Sequence, residues 1–298
     1  MNKLKLFLVM ILGFKYLLAV QDDDDNDNDD TSTTSDLEVN LSGLEALGDD
    51  FVYEGWVIVD GSPISTGRFS SVTFPQTYSV NANDLTAATK FVLTIEPAID
   101  SDPTPSDQKL IAGDFSGTTA TISTTTAPAI GDFSSAAGVA FLRTPTDETG
   151  TNNGNDENGV WYGTPGAPPT AGLVLPTLPV GWVYEGWVIG DVGPISTGTF
   201  TEFNTVDSGN PFSGTQRNGP PVPGEDFFLN APEGETFPLD IRGQESSYNI
   251  EPNPDNSPLT PFLLKPLMLD VPVTADLAPV THSFVQNLGS FPTGTATR

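Results

Sequence analysis

The chain has 298 residues, 29 of them Gly and 27 Pro, no Cys, one His, and a formal net charge of -28. Absence of Cys excludes disulfides, thiolate metal sites and thiol nucleophiles, and the excess of acid disfavours nucleic acid and anionic membrane surfaces as partners. The length suits about two domains, and the turn-rich composition without a sustained amphipathic helical period predicts an all-β protein.

In chain order, Lys3 and Lys5 precede the apolar run Leu6 to Phe14, then Lys15 and Tyr16 to Val20. This is an export signal over 1–20, too short and too interrupted to span a membrane for good; Leu17 and Ala19 suit a cut after Ala19. The run Asp22 to Asp30 opens an acidic spacer, 21–36, whose like charges repel and leave it solvated. A calcium loop in that run lacks the Gly and the distal Glu of an EF-hand.

Order is expected from Leu37 to Leu41, which alternates as a strand does. Phe51 to Val59 is a central strand: alternation sets Glu54, Trp56 and Ile58 on one face and Tyr53, Gly55 and Val57 on the other. Asp60 to Pro63 is turn chemistry, with the partner strand beginning at Gly67-Arg68-Phe69. A helical turn is expected at Asp84 to Thr89, and strands at Phe91–Ile95, Lys109–Phe115, Thr118–Thr124, Val139–Arg143 and Val160–Tyr162.

The block Tyr53 to Phe69, YEGWVIVDGSPISTGRF, returns as YEGWVIGDVGPISTGTF at Tyr184 to Phe200, matching at 13 of 17 positions without a gap. A second echo, FVLTIEP ending at Glu96-Pro97 and YNIEP ending at Glu251-Pro252, makes the architecture a tandem. The expected fold is all-β, with two tandem immunoglobulin-like β-sandwich domains: repeat 1 over 37–163, a Pro/Gly linker over 164–172, and repeat 2 over 173–298. Between its two motifs the second repeat is 24 residues longer, and the surplus falls near 204–243. That insertion, with Phe212, Phe227, Phe228 and Phe237, is the place to look for something particular to one domain.

Residues present in both repeats are expected to serve the fold: Tyr53, Glu54, Trp56, Pro63, Gly67, Phe69, Glu96 and Pro97, and Tyr184, Glu185, Trp187, Pro194, Gly198, Phe200, Glu251 and Pro252. A catalytic reading pairs two of the carboxylates as acid and base, but repeat-equivalent groups would then lie in separate domains. Trp56 and Trp187 read either as sugar-stacking platforms or, inside apolar strands, as core. Trp161 and Trp182 are candidates for an inter-domain contact. His282 has no GxSxG elbow to serve, a His-rich metal site is excluded, and no phosphate loop is present. An all-carboxylate calcium site in Asp147 to Glu157 is a further alternative. No catalytic, cofactor-binding or metal residue is assigned.

The two blocks with their Glu-Pro echoes resemble the extracytoplasmic C-terminal domain of anti-sigma-K factor-like proteins, carried here by Tyr53, Trp56, Pro63, Gly67, Phe69, Glu96 and Pro97 and their second-repeat equivalents. The acidic run after the signal is similar to the start of Bacteroidetes surface lipoproteins, although no Cys is present to carry a lipid. The resemblance implies the outward-facing domain without the sigma-binding domain that precedes it in such proteins. The expectation is a non-enzymatic exported binding, adhesion or sensory module, extracellular or at the cell surface, with an unknown protein or glycan ligand, weak Ca2+ binding by acidic loops and no membrane span after processing. The alternatives are a secreted carboxylate-dependent hydrolase acting on polysaccharide, and a structural envelope component with a self-complementary patch.

Overall fold

The computed structural model describes Thr33–Arg298; the expected export signal and most of the acidic spacer lie outside these residues. The strands are β1 (Thr34–Ser42), β2 (Phe51–Val59), β3 (Ser62–Phe69), β4 (Gln76–Asn81), β5 (Lys90–Pro97), β6 (Lys109–Ser116), β7 (Thr119–Ile122), β8 (Ala137–Leu142), β9 (Gly159–Trp161) and β10 (Gly163–Thr164). They continue as β11 (Thr170–Ala171), β12 (Leu173–Val174), β13 (Trp182–Ile189), β14 (Pro194–Phe200), β15 (Gly224–Asp226), β16 (Glu245–Pro252), β17 (Leu267–Asp270), β18 (His282–Ser283), β19 (Val285–Gln286) and β20 (Thr293–Thr297). One short helix, α1 (Ala82–Ala87), is capped by the Asn81 side chain, which accepts from the amides of Asn83 and Asp84. The chain is all-β, and its sheets are antiparallel.

Eight strands run β3-β2-β5-β6-β7-β20-β1-β4, and five run β14-β13-β16-β17-β19. A further sheet, β12-β8-β9-β15, takes β18 on β8. The eight-stranded sheet curls until its two edges meet, with the Phe69 ring of β3 5.9 Å from that of Tyr78 on β4. Leu37, Val39 and Leu41 of β1 thereby share a core with Tyr53 and Val57 of β2 and Phe91, Leu93 and Ile95 of β5.

Several elements depart from expectation in bounds. The first strand begins at Thr34, so Thr34 to Asp36, assigned to the spacer, pair with β4. The partner of β2, expected to begin at Gly67, begins at Ser62 and ends at Phe69, because Asp60 and Gly61 both take positive φ and close a two-residue turn.

The Pro/Gly stretch, expected as a boundary, contributes a small hairpin, β10 with β11, and strand pairing does not divide there. β8 and β9, assigned to repeat 1, pair with β12, β18 and β15 from beyond the stretch, and β20 returns from the C-terminus to pair with β1 and β7. The buried apolar side chains of both halves join in one cluster from Leu37 to Ala296, where separate cores were expected. Apolar residues at the ends of paired strands can be covered from either half, and local pattern does not say which.

Candidate functional site

The repeated block folds the same way twice. In β2 with β3, Gly55 pairs Gly67 and Trp56 pairs Ser65, so Thr66 is bulged out; in β13 with β14, Gly186 pairs Gly198 and Trp187 pairs Ser196, which bulges Thr197. Gly67 and Gly198 sit at φ 129° and 115°, a conformation other residues resist, and this accounts for the repeated Ser-Thr-Gly. The Tyr53 hydroxyl donates to the Glu45 carbonyl at 2.8 Å and that of Tyr184 to Pro176 at 2.6 Å, each eight residues upstream. The rings of Tyr53 and Phe69 lie 5.5 Å apart, and those of Tyr184 and Phe200 5.9 Å. Pro63 and Pro194 pair with Ile58 and Ile189 near the turn end of each hairpin.

The repeat carboxylates meet within each sheet. Glu54 pairs Thr94 across β2 and β5, which makes Glu96 its diagonal neighbour on the same face. Trp56 donates its indole N–H to Thr94 Oγ1 at 2.9 Å, and that hydroxyl donates to Glu96 Oε1. Ser106 N–H adds a bond to Glu96 at 2.9 Å, while Glu54 accepts from Ser65 Oγ at 2.5 Å and pairs with Arg68 at 3.4 Å. Burial raises the Glu96 pKa, helped by the nearby Glu54 carboxylate. Trp56 packs with Val92, Ala112 and Ala129 and is 3% exposed, so it offers no stacking platform.

The second ladder keeps the carboxylates and the tryptophan and changes their partners. Glu185 lies opposite Asn249, which stands where Thr94 does, and opposite Thr199, which stands where Arg68 does. Asn249 turns away to donate to the Phe262 carbonyl at 2.6 Å, and Phe262 N–H donates to Glu251 Oε1 at 2.9 Å. Glu251 Oε2 and the Trp187 indole nitrogen are buried and face one another without a well-formed hydrogen bond. Burial first, then Asp255, pushes Glu185 up to about 7, and burial with Glu185 and Asp255 pushes Glu251 up to about 8. A glutamate pair without a cation in a dry site holds protons near neutrality.

A second difference recruits the insertion. Phe91, which pairs Val57 on β5, is replaced by Ser246 on β16. The vacated volume is filled from outside the sheet by Tyr162, whose ring lies against Gly186 as Phe91 lies against Gly55, and whose hydroxyl meets Ser246 Oγ at 3.2 Å. This brings β9, and β15 paired with it, next to the second sheet.

There the insertion builds a cavity of about 460 Å³ lined by Trp161, Thr205, Asp207, Ser208, Asn210 and Asn218, with Gly209, Gly219 and Gly224 among the backbone walls. Trp161 is fixed by donating its indole N–H to Asp226 Oδ1 at 2.8 Å and to the Arg143 carbonyl at 3.1 Å. Asp226 also accepts from Thr146 N–H at 2.9 Å and from its hydroxyl. Half-buried Asp207 accepts from Gly224 N–H at 2.9 Å, and buried Glu225 from Ser213 Oγ. Burial pushes Asp207 up to about 7, Glu225 to about 8 with Asp207 and Asp226 adding to it, and Asp226 to about 6 against the donors that hold it. The cavity thus combines neutral amide and hydroxyl groups and one carboxyl that titrates near neutrality, with Trp161, 2% exposed, buried behind them.

The other candidates lie elsewhere. The carboxylates of Asp147 to Glu157 face donors: Asp147 accepts from Thr149 and Asn152, Glu148 pairs with Arg143 and Arg217, and Asp156 accepts from Thr144. Among the described residues no three His, Cys, Asp or Glu side chains converge as a metal site, and no helix is long and apolar enough to cross a membrane. His282 on β18 bonds the Asp276 carbonyl at 2.8 Å and meets no carboxylate. Trp161 packs with Phe141 and Val222, and Trp182 with Phe262, 6.0 Å away. Asp207, Glu225 and Asp226 escaped the sequence reading; the one signal for the last two was Gly224-Glu225-Asp226 inside an otherwise Pro-rich insertion.

Neither a curated protein nor a solved structure matches the chain. Residues 30–109, which end at the start of β6 and include the first motif and its Glu-Pro echo, match the family described as "Anti-sigma-K factor rskA, C-terminal", so this stretch of the chain is similar to that domain.

Proposed function

We propose that this is a non-enzymatic, exported module of the cell envelope that binds, adheres or senses through the cavity of its second half. We read the two motif-bearing sheets as two immunoglobulin-like sandwich units, related to the outward-facing domain of anti-sigma factors. One observation carries the reading: residues common to both motifs are buried in the fold, whereas the 24-residue surplus supplies a cavity of about 460 Å³ with neutral polar groups and a carboxyl. Such a lining suits a carbohydrate, whose hydroxyls pair with amides, hydroxyls and carboxyls. Buried Trp56 and Trp187 weigh against a sugar-stacking cleft at the repeat motif.

The test is a panel of neutral and amino-sugar oligosaccharides titrated against the full chain, with reducing ends assayed in parallel. Saturable binding without new reducing ends supports the proposal. Release of reducing ends, or no binding anywhere on the panel, overturns it.

A further inference from the structure

Among the described residues that line the second-half cavity, Asp207 alone is ionisable. Gly224, also in the wall, is followed by Glu225, fully buried with its Oε2 unpartnered, and by Asp226, equally buried. No salt bridge among the described residues reaches any of these three carboxyls. The guanidiniums of Arg143 and Arg217 both pair with Glu148 instead. Asp207 is held by backbone amides, that of Gly224 at 2.9 Å, and no side-chain donor among the described residues bonds it.

Comparison of the two hairpins shows that this carboxyl is particular to the second half. At the bulge glycine of the first, Gly67, an added Cβ would meet the Tyr78 ring at 3.3 Å; at Gly198 it would meet the Asp207 carboxyl carbon at 3.0 Å. A carboxyl therefore stands where the other half packs an aromatic ring. Burying it without a cation costs stability that the ring does not cost, and its raised pKa is the mark of that cost. Around it, exposed Thr205, Ser208, Asn210 and Asn218 present neutral hydroxyl and amide groups. The volume of about 460 Å³ lies within the range of small-ligand sites. What the lining lacks is a positive charge, and a net charge of -28 draws cations toward the chain.

On the carbohydrate reading of the cavity, on which this rests, we propose that the site selects an amino sugar with a free amine, whose ammonium pairs with Asp207 while its hydroxyls meet Thr205, Asn210 and Asn218. Asp207 is then the residue that sets specificity. A neutral sugar of the same shape leaves that carboxyl unpaired in a partly buried site and binds more weakly.

The experiment titrates the full chain with one glucosamine oligosaccharide in two forms, amines free and amines acetylated, at about pH 7 and about 0.15 M salt, where loose surface attraction is screened. The free-amine form is expected to bind about tenfold more tightly or better. Affinities within about threefold of one another, or tighter binding of the acetylated form, overturn the proposal and leave carbohydrate binding standing. Binding of neither form, nor of any other sugar on the panel, overturns the carbohydrate reading as well. Asp207→Asn, checked for folding by its urea midpoint, is expected to bring the two affinities within about threefold. Thr205→Lys, which supplies an ammonium from an exposed position in the wall, is expected to do the same. A preference that survives in folded Asp207→Asn, or in Thr205→Lys where Asp207→Asn does not fold, overturns Asp207 as the partner of the amine.

Discussion

The two glutamate ladders occupy equivalent positions on equivalent pairs of strands, β2 with β5 and β13 with β16, and differ in what surrounds them. In the first, Arg68 sits against Glu54 and the Thr94 hydroxyl relays from Trp56 to Glu96. In the second, Thr199 and Asn249 stand in those places, and Glu185 and Glu251 hold protons instead. A duplicated backbone motif thus fixes geometry while leaving charge free to diverge. The half without that cation is also the half whose core takes in Tyr162 and which carries the insertion.

The harshest way to break the comparison is to remove the tryptophans. Trp56→Ala and Trp187→Ala each empty a buried site and should each cost about 3–5 kcal/mol, read as urea midpoints. The Trp56 change should cost more, because it also strips Thr94 of its donor at 2.9 Å, whereas the Trp187 indole faces Glu251 without a well-formed bond. Equal costs would mean that the relay adds nothing to packing.

Next in size is the pH dependence. Glu185, Glu251, Asp207, Glu225 and Asp226 all have folded pKa values above their ordinary ones, so the folded state binds more protons than the unfolded state between about pH 4 and 8. Their contribution to stability is full below the ordinary carboxylate range and is lost as pH rises through 6 to 8. Asp147, Glu148 and Asp240 are shifted down and act in the opposite sense, losing their contribution as pH falls below the carboxylate range. Denaturant midpoints should therefore peak in mild acid and fall toward pH 8. Glu185→Gln should raise stability at pH 8 by about 2 kcal/mol, taking each pKa unit as roughly 1.4 kcal/mol with allowance for relaxation, and change little at pH 5.

The smallest expected effect comes from exchanging the cation. Thr199→Arg places a guanidinium where Arg68 stands in the first ladder and should stabilise the protein at pH 8 by about 1 kcal/mol, flattening its pH profile. Arg68→Thr should cost about as much, since that pair is partly exposed. Unchanged midpoints for both variants would show that Arg68 does not distinguish the ladders.

The repeated block made much of this legible. Alternation along Phe51 to Val59 put Glu54 and Trp56 on one face, and β2 has the expected bounds, because a strand covered on both faces carries its signal in every residue. The meeting of Glu54 with Glu96 was hidden, since it depends on the register of β2 against β5. Repeat logic pointed elsewhere, to pairs across domains. The insertion was visible as surplus length, but its cavity was not: Trp161, Asp207 and Gly224 come from separate segments, joined by the pairing of β9 with β15. Strand exchange between halves was equally invisible, because Thr293 to Thr297 reads as a polar tail until β1 and β7 flank it.

The most direct test of the central claim, that binding belongs to the insertion and not to the shared motif, compares two full-chain variants on the oligosaccharide panel. Gly209→Trp fills the cavity from an open backbone position, and Thr73→Trp places the same ring on the exposed segment between β3 and β4 of the first half. The account predicts that the Gly209 variant loses binding at least tenfold while the Thr73 variant binds as the unaltered chain does. Retained binding in the Gly209 variant, or loss confined to the Thr73 variant, would contradict it.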